Sequence, residues 1–129
     1  MKQSYDQKEQ KDILDNNKTE AIFNMCAVWA FGGCLTEKDN KDYRKEFSSF
    51  WKKEFKNIKF PSKGTVFDYF VKVQPNSFSL EEWKSIVETI EYDPVVPMQN
   101  ITVPIPETVS IQKMSKYLIF KKTPVLYIG

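Results

Sequence analysis

The sequence predicts a mainly helical α+β fold that ends in the opening helix and strand of an incomplete α/β unit. Three observations lead there. Apolar and aromatic residues recur at helical spacing over residues 18–31 and 39–56. Short β-branched and aromatic runs then follow between turns that carry proline and glycine. A final helical stretch leads into an apolar run that closes on Gly129. At 129 residues the chain is expected to bury one hydrophobic core.

Composition narrows the function classes. Hydrophobic residues are 41% and charged residues 28% of the chain, an ordinary globular balance, while 15% aromatic content points to a core or docking surface built on rings. A net charge of +2 does not call for a nucleic-acid partner. The longest apolar stretch, residues 27–34, is far short of the ~20 residues of a membrane span. Without histidine, a histidine-ligated zinc site and a histidine general base are excluded. Cys26 and Cys34 are read as reduced thiols of a cytosolic compartment.

Residues 1–20 are polar, with Tyr5, Ile13 and Leu14 as large apolar side chains, and read as a frayed helix end or a helix missing its neighbours. Over residues 18–31 the spacing of Ile22, Phe23, Cys26, Ala27 and Ala30 predicts a buried helix, widened by Trp29 and Phe31 and stopped by Gly32 and Gly33. Asp39 or Asn40 is expected to cap a second helix reaching about Lys56. Its aromatic stripe is Tyr43, Phe47, Phe50, Trp51 and Phe55, and its opposite face is basic, with Arg44, Lys45, Lys52, Lys53 and Lys56. Rings on one helical face serve a core far more often than RNA stacking, which needs them exposed.

Pro61-Ser62-Lys63-Gly64 reads as a turn, residues 65–71 as a strand and Pro75-Asn76 as another turn. Ser79 with Glu82 forms a capping-box pattern, predicting a short helix to about Glu88 that buries Trp83, Ile86, Val87 and Ile90. Residues 91–106 hold Pro94, Pro97, Pro104 and Pro106 and must be extended, with Ile101 and Val103 alternating as a strand. A last helix starts between Pro106 and Thr108, carries Ile111, Met114 and Leu118 on one side, and closes at Lys121 and Lys122 against the negative end of the helix dipole. Residues 124–128 then read as a buried parallel strand whose sheet partners lie in later sequence.

Helix, buried strand and glycine is how a phosphate-binding loop, G-x-x-x-x-G-K-S/T, is approached, and here Gly129 stands where the motif opens. Longer strings are more specific. Ala30-Phe31-Gly32-Gly33, Tyr43-Arg44-Lys45-Glu46-Phe47 and Phe60-Pro61-Ser62-Lys63-Gly64-Thr65-Val66-Phe67-Asp68-Tyr69, followed by Glu91-Tyr92-Asp93-Pro94 and Val103-Pro104-Ile105-Pro106-Glu107-Thr108, resemble dynein heavy chains. The likeness runs over residues 20–129 and leans toward ciliary outer-arm heavy chains of the beta type. The loop of residues 73–82 departs from the family in lacking a Pro-Trp pair.

The resemblance implies the stretch joining the second and third AAA+ modules of the motor ring. Residues 1–56 would then be the helical end of the preceding small subdomain with its linker, and residues 57–129 the N-terminal part of the next large subdomain. It implies ATP or ADP with Mg in the parent protein, with Val103, Pro104 and Ile105 bordering the base and Gly129 beginning the phosphate cradle. An ordinary strand end beside a helix cap fits the first three residues equally well. Partners would be the rest of the dynein AAA+ ring and, through the parent, the microtubule and the intermediate and light chains. The setting would be the cytoplasm, the cytoskeleton and the axoneme of cilia or flagella. The fragment itself is expected to have no catalytic residues and no metal site. A self-contained adaptor domain is the alternative reading. An enzyme using Glu81, Glu82, Glu88 or Glu91 is disfavoured because these carboxylates form no cluster beyond ordinary surface spacing.

Overall fold

A single 31-residue helix, α1 (Lys2–Gly32), carries the N-terminal quarter of the chain. The computed structural model describes residues 2–89, 95, 97, 99, 101 and 103–127, with residues 2–10 as backbone only. Two antiparallel two-residue strands follow, β1 (Glu37–Lys38) and β2 (Lys41–Asp42), with Glu37 opposite Asp42 and Lys38 opposite Lys41. Asp39 and Asn40 between them have φ of 53° and 62°. Two successive residues at positive φ make the tight turn whose twist suits a two-residue hairpin, so these residues turn the chain and do not cap a helix. The cap of α2 (Tyr43–Glu54) is instead Asp42, which accepts a 3.0 Å hydrogen bond from the Lys45 backbone N–H.

The strand expected over residues 65–71 begins later. Val66–Asp68 is a 3-10 turn, and β3 (Tyr69–Gln74) comes after it. The Asp68 carboxylate accepts from both the backbone N–H and the hydroxyl of Thr65, at 2.6 and 3.0 Å, and this closed local ring holds the turn in place of a strand. The helix expected from Ser79 is likewise absent. β4 (Ser77–Glu82) returns along β3 across the Pro75-Asn76 turn, and Ser77, Phe78, Ser79 and Leu80 alternate between exposed and half-buried as a strand requires. Lys72 and Glu81 join the two strands at 3.0 Å.

Two compact units divide the chain, residues 1–81 and residues 82–129. The core of the first is Ala27, Val28, Trp51, Val66 and Phe67, with Trp29, Phe47 and Phe60 packed around it. Val66 and Phe67 complete the core that α1 and α2 begin. Gly32 is buried, and a Cβ there would lie 2.5 Å from Phe67 Cζ and 2.8 Å from Phe47 Cε1, so only glycine lets both rings close on α1.

Of the face expected to be buried on α1, Ala27 is buried and Trp29 half-buried, and the rest is exposed. Ala21, Asn24, Met25, Ala27 and Val28 are buried, whereas Ile22, Phe23, Cys26, Ala30 and Phe31 are exposed. The aromatic stripe of α2 is also split. Trp51 is buried and Phe47 half-buried, while Tyr43, Phe50 and Phe55 reach the surface.

In the second unit a 3-10 turn, Trp83–Ile86, packs against α3 (Pro106–Phe120). Trp83 is buried, but Ile86 is exposed and Val87 half-buried. Pro106 opens α3 at its first turn, where a missing N–H costs nothing. At the other end Lys122 takes the left-handed conformation, φ 58°, and the N–H groups of Lys122 and Thr123 bond back to the carbonyls of Ile119 and Leu118 at 2.8 and 2.9 Å. This is a Schellman ending with lysine in the glycine position. Ile101 and Val103 are not in a strand, and neither are residues 123–127. After the turn the chain folds back, and the Tyr127 hydroxyl meets the Ser115 hydroxyl. Ile90, residues 91–94, 96, 98, 100 and 102 of the run expected to be extended, and the end at Ile128 and Gly129 lie outside the described residues.

Candidate functional site

Three of the strings that carry the family likeness, residues 30–33, 43–47 and 60–69, converge in the first unit. Glycine 64, at φ 68°, turns the chain so that the backbone carbonyls of Pro61 and Gly64 both face α2. Lys52 Nζ donates to these two oxygens, at 2.7 and 2.9 Å. Tyr69 donates its hydroxyl to the Lys63 carbonyl at 2.8 Å, closing the same loop from the other side. Ser48, buried on α2, accepts from the Val66 N–H at 3.0 Å. The Phe-Pro-Ser-Lys-Gly-Thr-Val-Phe-Asp-Tyr string is thereby held to α2 by three hydrogen bonds, and the Tyr69 bond closes the string on itself.

Rings complete the junction. Phe67 meets Trp29 edge-on at 5.8 Å and Phe47 at 5.7 Å, and Phe47 stacks on Trp51 at 5.5 Å. The Arg44 guanidinium sits 4.3 Å from the centre of the Phe67 ring and 5.9 Å from that of Trp29, so the ring faces hold its charge. Two more contacts bring α1 to the β3–β4 hairpin: Lys18 Nζ donates to the Pro75 carbonyl at 2.7 Å, and the Val71 N–H points at Met25 Sδ at 3.4 Å. These contacts make one joint from α1, α2 and the loop between α2 and β3.

Sequence reasoning placed Arg44 and Lys52 on a solvated basic face, yet both are half-buried and used in this joint. No periodicity distinguishes them from Lys45 or Lys53, which are exposed. The one local hint is that Arg44 lies within the Tyr-Arg-Lys-Glu-Phe string.

Of the residues expected to border a nucleotide, Val103, Pro104 and Ile105 form the irregular run entering α3. Val103 is 64% and Ile105 45% exposed, and Pro104 is half-buried. The Ile105 N–H donates to Thr108 Oγ1 at 2.9 Å, which fixes the entry angle, and Glu107 stands in the first turn. Gly129 lies outside the described residues. Among the described residues no group of three or more Asp, Glu or Cys side chains is placed to hold a metal ion, and no helix is long and apolar enough to cross a membrane. The carboxyl of Asp42 is held below its ordinary range, first by the Lys45 backbone N–H and then by the Lys45 side chain 3.1 Å away.

This joint lies within residues 1–85, the span that matches the profile of the dynein heavy chain AAA lid domain. The chain belongs to the dynein heavy chain AAA lid family. Among its relatives, human dynein axonemal heavy chain 9 is 39% identical over 110 residues, 85% of this chain and 2% of that protein. The ciliary dynein beta chain of Heliocidaris crassispina is 40% identical over the same share of each chain. The flagellar outer-arm dynein alpha chain of Chlamydomonas reinhardtii is 36% identical over 120 residues, 90% of this chain and 3% of that one. The chain thus spans about 2–3% of the length of the curated relatives it matches.

Proposed function

We propose that this chain is a piece of an axonemal dynein heavy chain of the outer-arm beta type, the ATP-driven microtubule motor of cilia and flagella. Within it the piece joins the second AAA+ module of the ring to the third. The observation that carries the reading is the joint itself, in which two of the family strings, residues 43–47 and 60–69, clamp one another through Arg44, Phe47 and Phe67. A rigid connection suits a part that transmits movement between modules.

Residues 103–105 would border the base of a nucleotide, and the exposed apolar faces of Val103 and Ile105 beside the α3 N-terminus fit that use. Gly129 would open the phosphate loop. Bound ATP with Mg would supply the energy of the motor, and its phosphates would be held by residues following Gly129. The partners are the remaining AAA+ ring and, through the whole motor, the microtubule and the intermediate and light chains, in the axoneme and the cytoskeleton of the cytoplasm.

These 129 residues contain no complete G-x-x-x-x-G-K-S/T, so the piece neither binds ATP tightly nor hydrolyses it. Calorimetry with ATP and magnesium is expected to show no binding. A micromolar Kd, about −8 kcal/mol, contradicts this. Sequencing the transcript past Gly129 tests the placement in the ring: a phosphate-loop continuation supports it, and a stop codon there ends it.

A further inference from the structure

Helix α1 is apolar on two sides. Ala21, Met25 and Val28 are buried in the first unit. About half a turn around the helix, Ile22, Phe23, Cys26 and Ala30 stand at i, i+1, i+4 and i+8, the spacing of one continuous face, and all four are exposed. Phe23 is 69% exposed. The same stripe continues toward the N-terminus through Asp15 and Asp12. We infer that this second face of α1 is the seat of another helix of the same polypeptide, lying outside these 129 residues, apolar opposite Phe23 and basic opposite Asp12. The inference rests on the reading of the chain as a piece of a heavy chain.

Size decides between an internal helix and a separate partner. One Phe, one Ile and two small side chains present roughly 300 Å² of apolar surface. A stable complex between separate proteins, or between two copies of this chain, needs about 800 Å² on each side. A segment tethered in the same chain needs less, because its effective concentration reaches the millimolar range without further contacts. Relatives in which this sequence makes up only 2–3% of the length have ample chain to supply it. The i, i+1, i+4, i+8 ridge is the kind that packs into the groove of a neighbouring helix.

The test uses the intact polypeptide that carries this sequence. Peptide mapping first gives its size: a short protein of about this length overturns the heavy-chain reading and the inference with it. In the heavy chain, iodoacetamide labelling of Cys26 read by mass spectrometry is expected to be at least tenfold slower in the native protein than in urea, and equal rates overturn the inference alone. A photoreactive benzoyl-phenylalanine in place of Phe23 is expected to cross-link to a peptide of the same heavy chain outside these residues. A cross-link to a second heavy chain or to another protein overturns the inference and leaves the heavy-chain reading standing.

Discussion

Trp51 and Phe50 are neighbours on α2 with opposite fates. Trp51 is 6% exposed and stacks between Phe47 and Phe55, whereas Phe50 is 55% exposed and meets Phe55 alone among the rings. Truncating a buried aromatic removes its transfer free energy and leaves a cavity, so Trp51→Ala is expected to destabilise the first unit by ~3–5 kcal/mol. Phe50→Ala should stay within ~0.5 kcal/mol of the parent, as exposed positions do. Urea titrations followed by circular dichroism measure both, and equal losses would place Phe50 in the core as well. Asp42 gives a pH-dependent case. Its carboxyl is lowered by the Lys45 N–H that it caps, so the ionised form is favoured in the folded chain. Stability from this group is therefore complete above the ordinary carboxylate range and fades as pH falls through the lowered value. The Tm difference between the parent and Asp42→Ala is expected to be constant above about pH 5 and to shrink on acidification. A difference that grows in acid would mean that the cap acts through something other than its charge.

At the scale of elements, turns and caps set where helices begin. The β1–β2 hairpin depends on two residues at positive φ, and Asp and Asn are the non-glycine types that tolerate it best. Asn40→Val puts a β-branched side chain at φ 62° and is expected to cost about 1–2 kcal/mol, while Asn40→Gly should be neutral or stabilising. Thermal melts of the two variants read the difference directly, and a neutral valine would show that the turn is not formed in solution. The hairpin also delivers Asp42 to its capping position, because Asp42 is at once the last residue of β2 and the cap of α2. The α3 helix is set by equally local devices, Pro106 in its first turn and the left-handed Lys122 at its end. For that reason its expected limits and its observed ones nearly coincide.

Across the whole molecule the two units differ in how much they bury. The first encloses the aromatic cluster, whereas α3 buries Ser110 and leaves Ile111, Leu118 and Phe120 exposed, and beyond it Leu126 is 82% exposed. A helix short of about 12–15 residues, or one without tertiary contacts, is marginal in water, and α3 with 15 residues stands at that limit. Amides of residues 107–127 are expected to exchange with deuterium faster than those of residues 22–31 and 43–54. Uniformly slow exchange in a monomer would show that the second unit has all its partners within this chain.

The sequence by itself determined the α+β class, the α2 and α3 helices to within a few residues, the turns at Pro61–Gly64 and Pro75-Asn76, and the dynein likeness. Those signals are carried by residues within a turn or two of one another, through caps, prolines, glycines and strings read in order. Tertiary structure alone decided which side of α1 is buried, since Ile22, Phe23, Cys26 and Ala30 on one side compete with Ala21, Met25 and Val28 on the other, and periodicity ranks two apolar faces equally. The outcome depended on where Phe67 arrives, from some forty residues away, against Trp29 and Phe47. The strand at residues 77–82 was hidden for a similar reason: Ser79 and Glu82 satisfy a helix cap locally, but pairing with β3 across Pro75-Asn76 supplies hydrogen bonds that a local pattern cannot count. Arg44 and Lys52 likewise gained their roles only when Phe67 and the Pro61 and Gly64 carbonyls were brought to them, because burial and pairing are properties of what the chain places nearby.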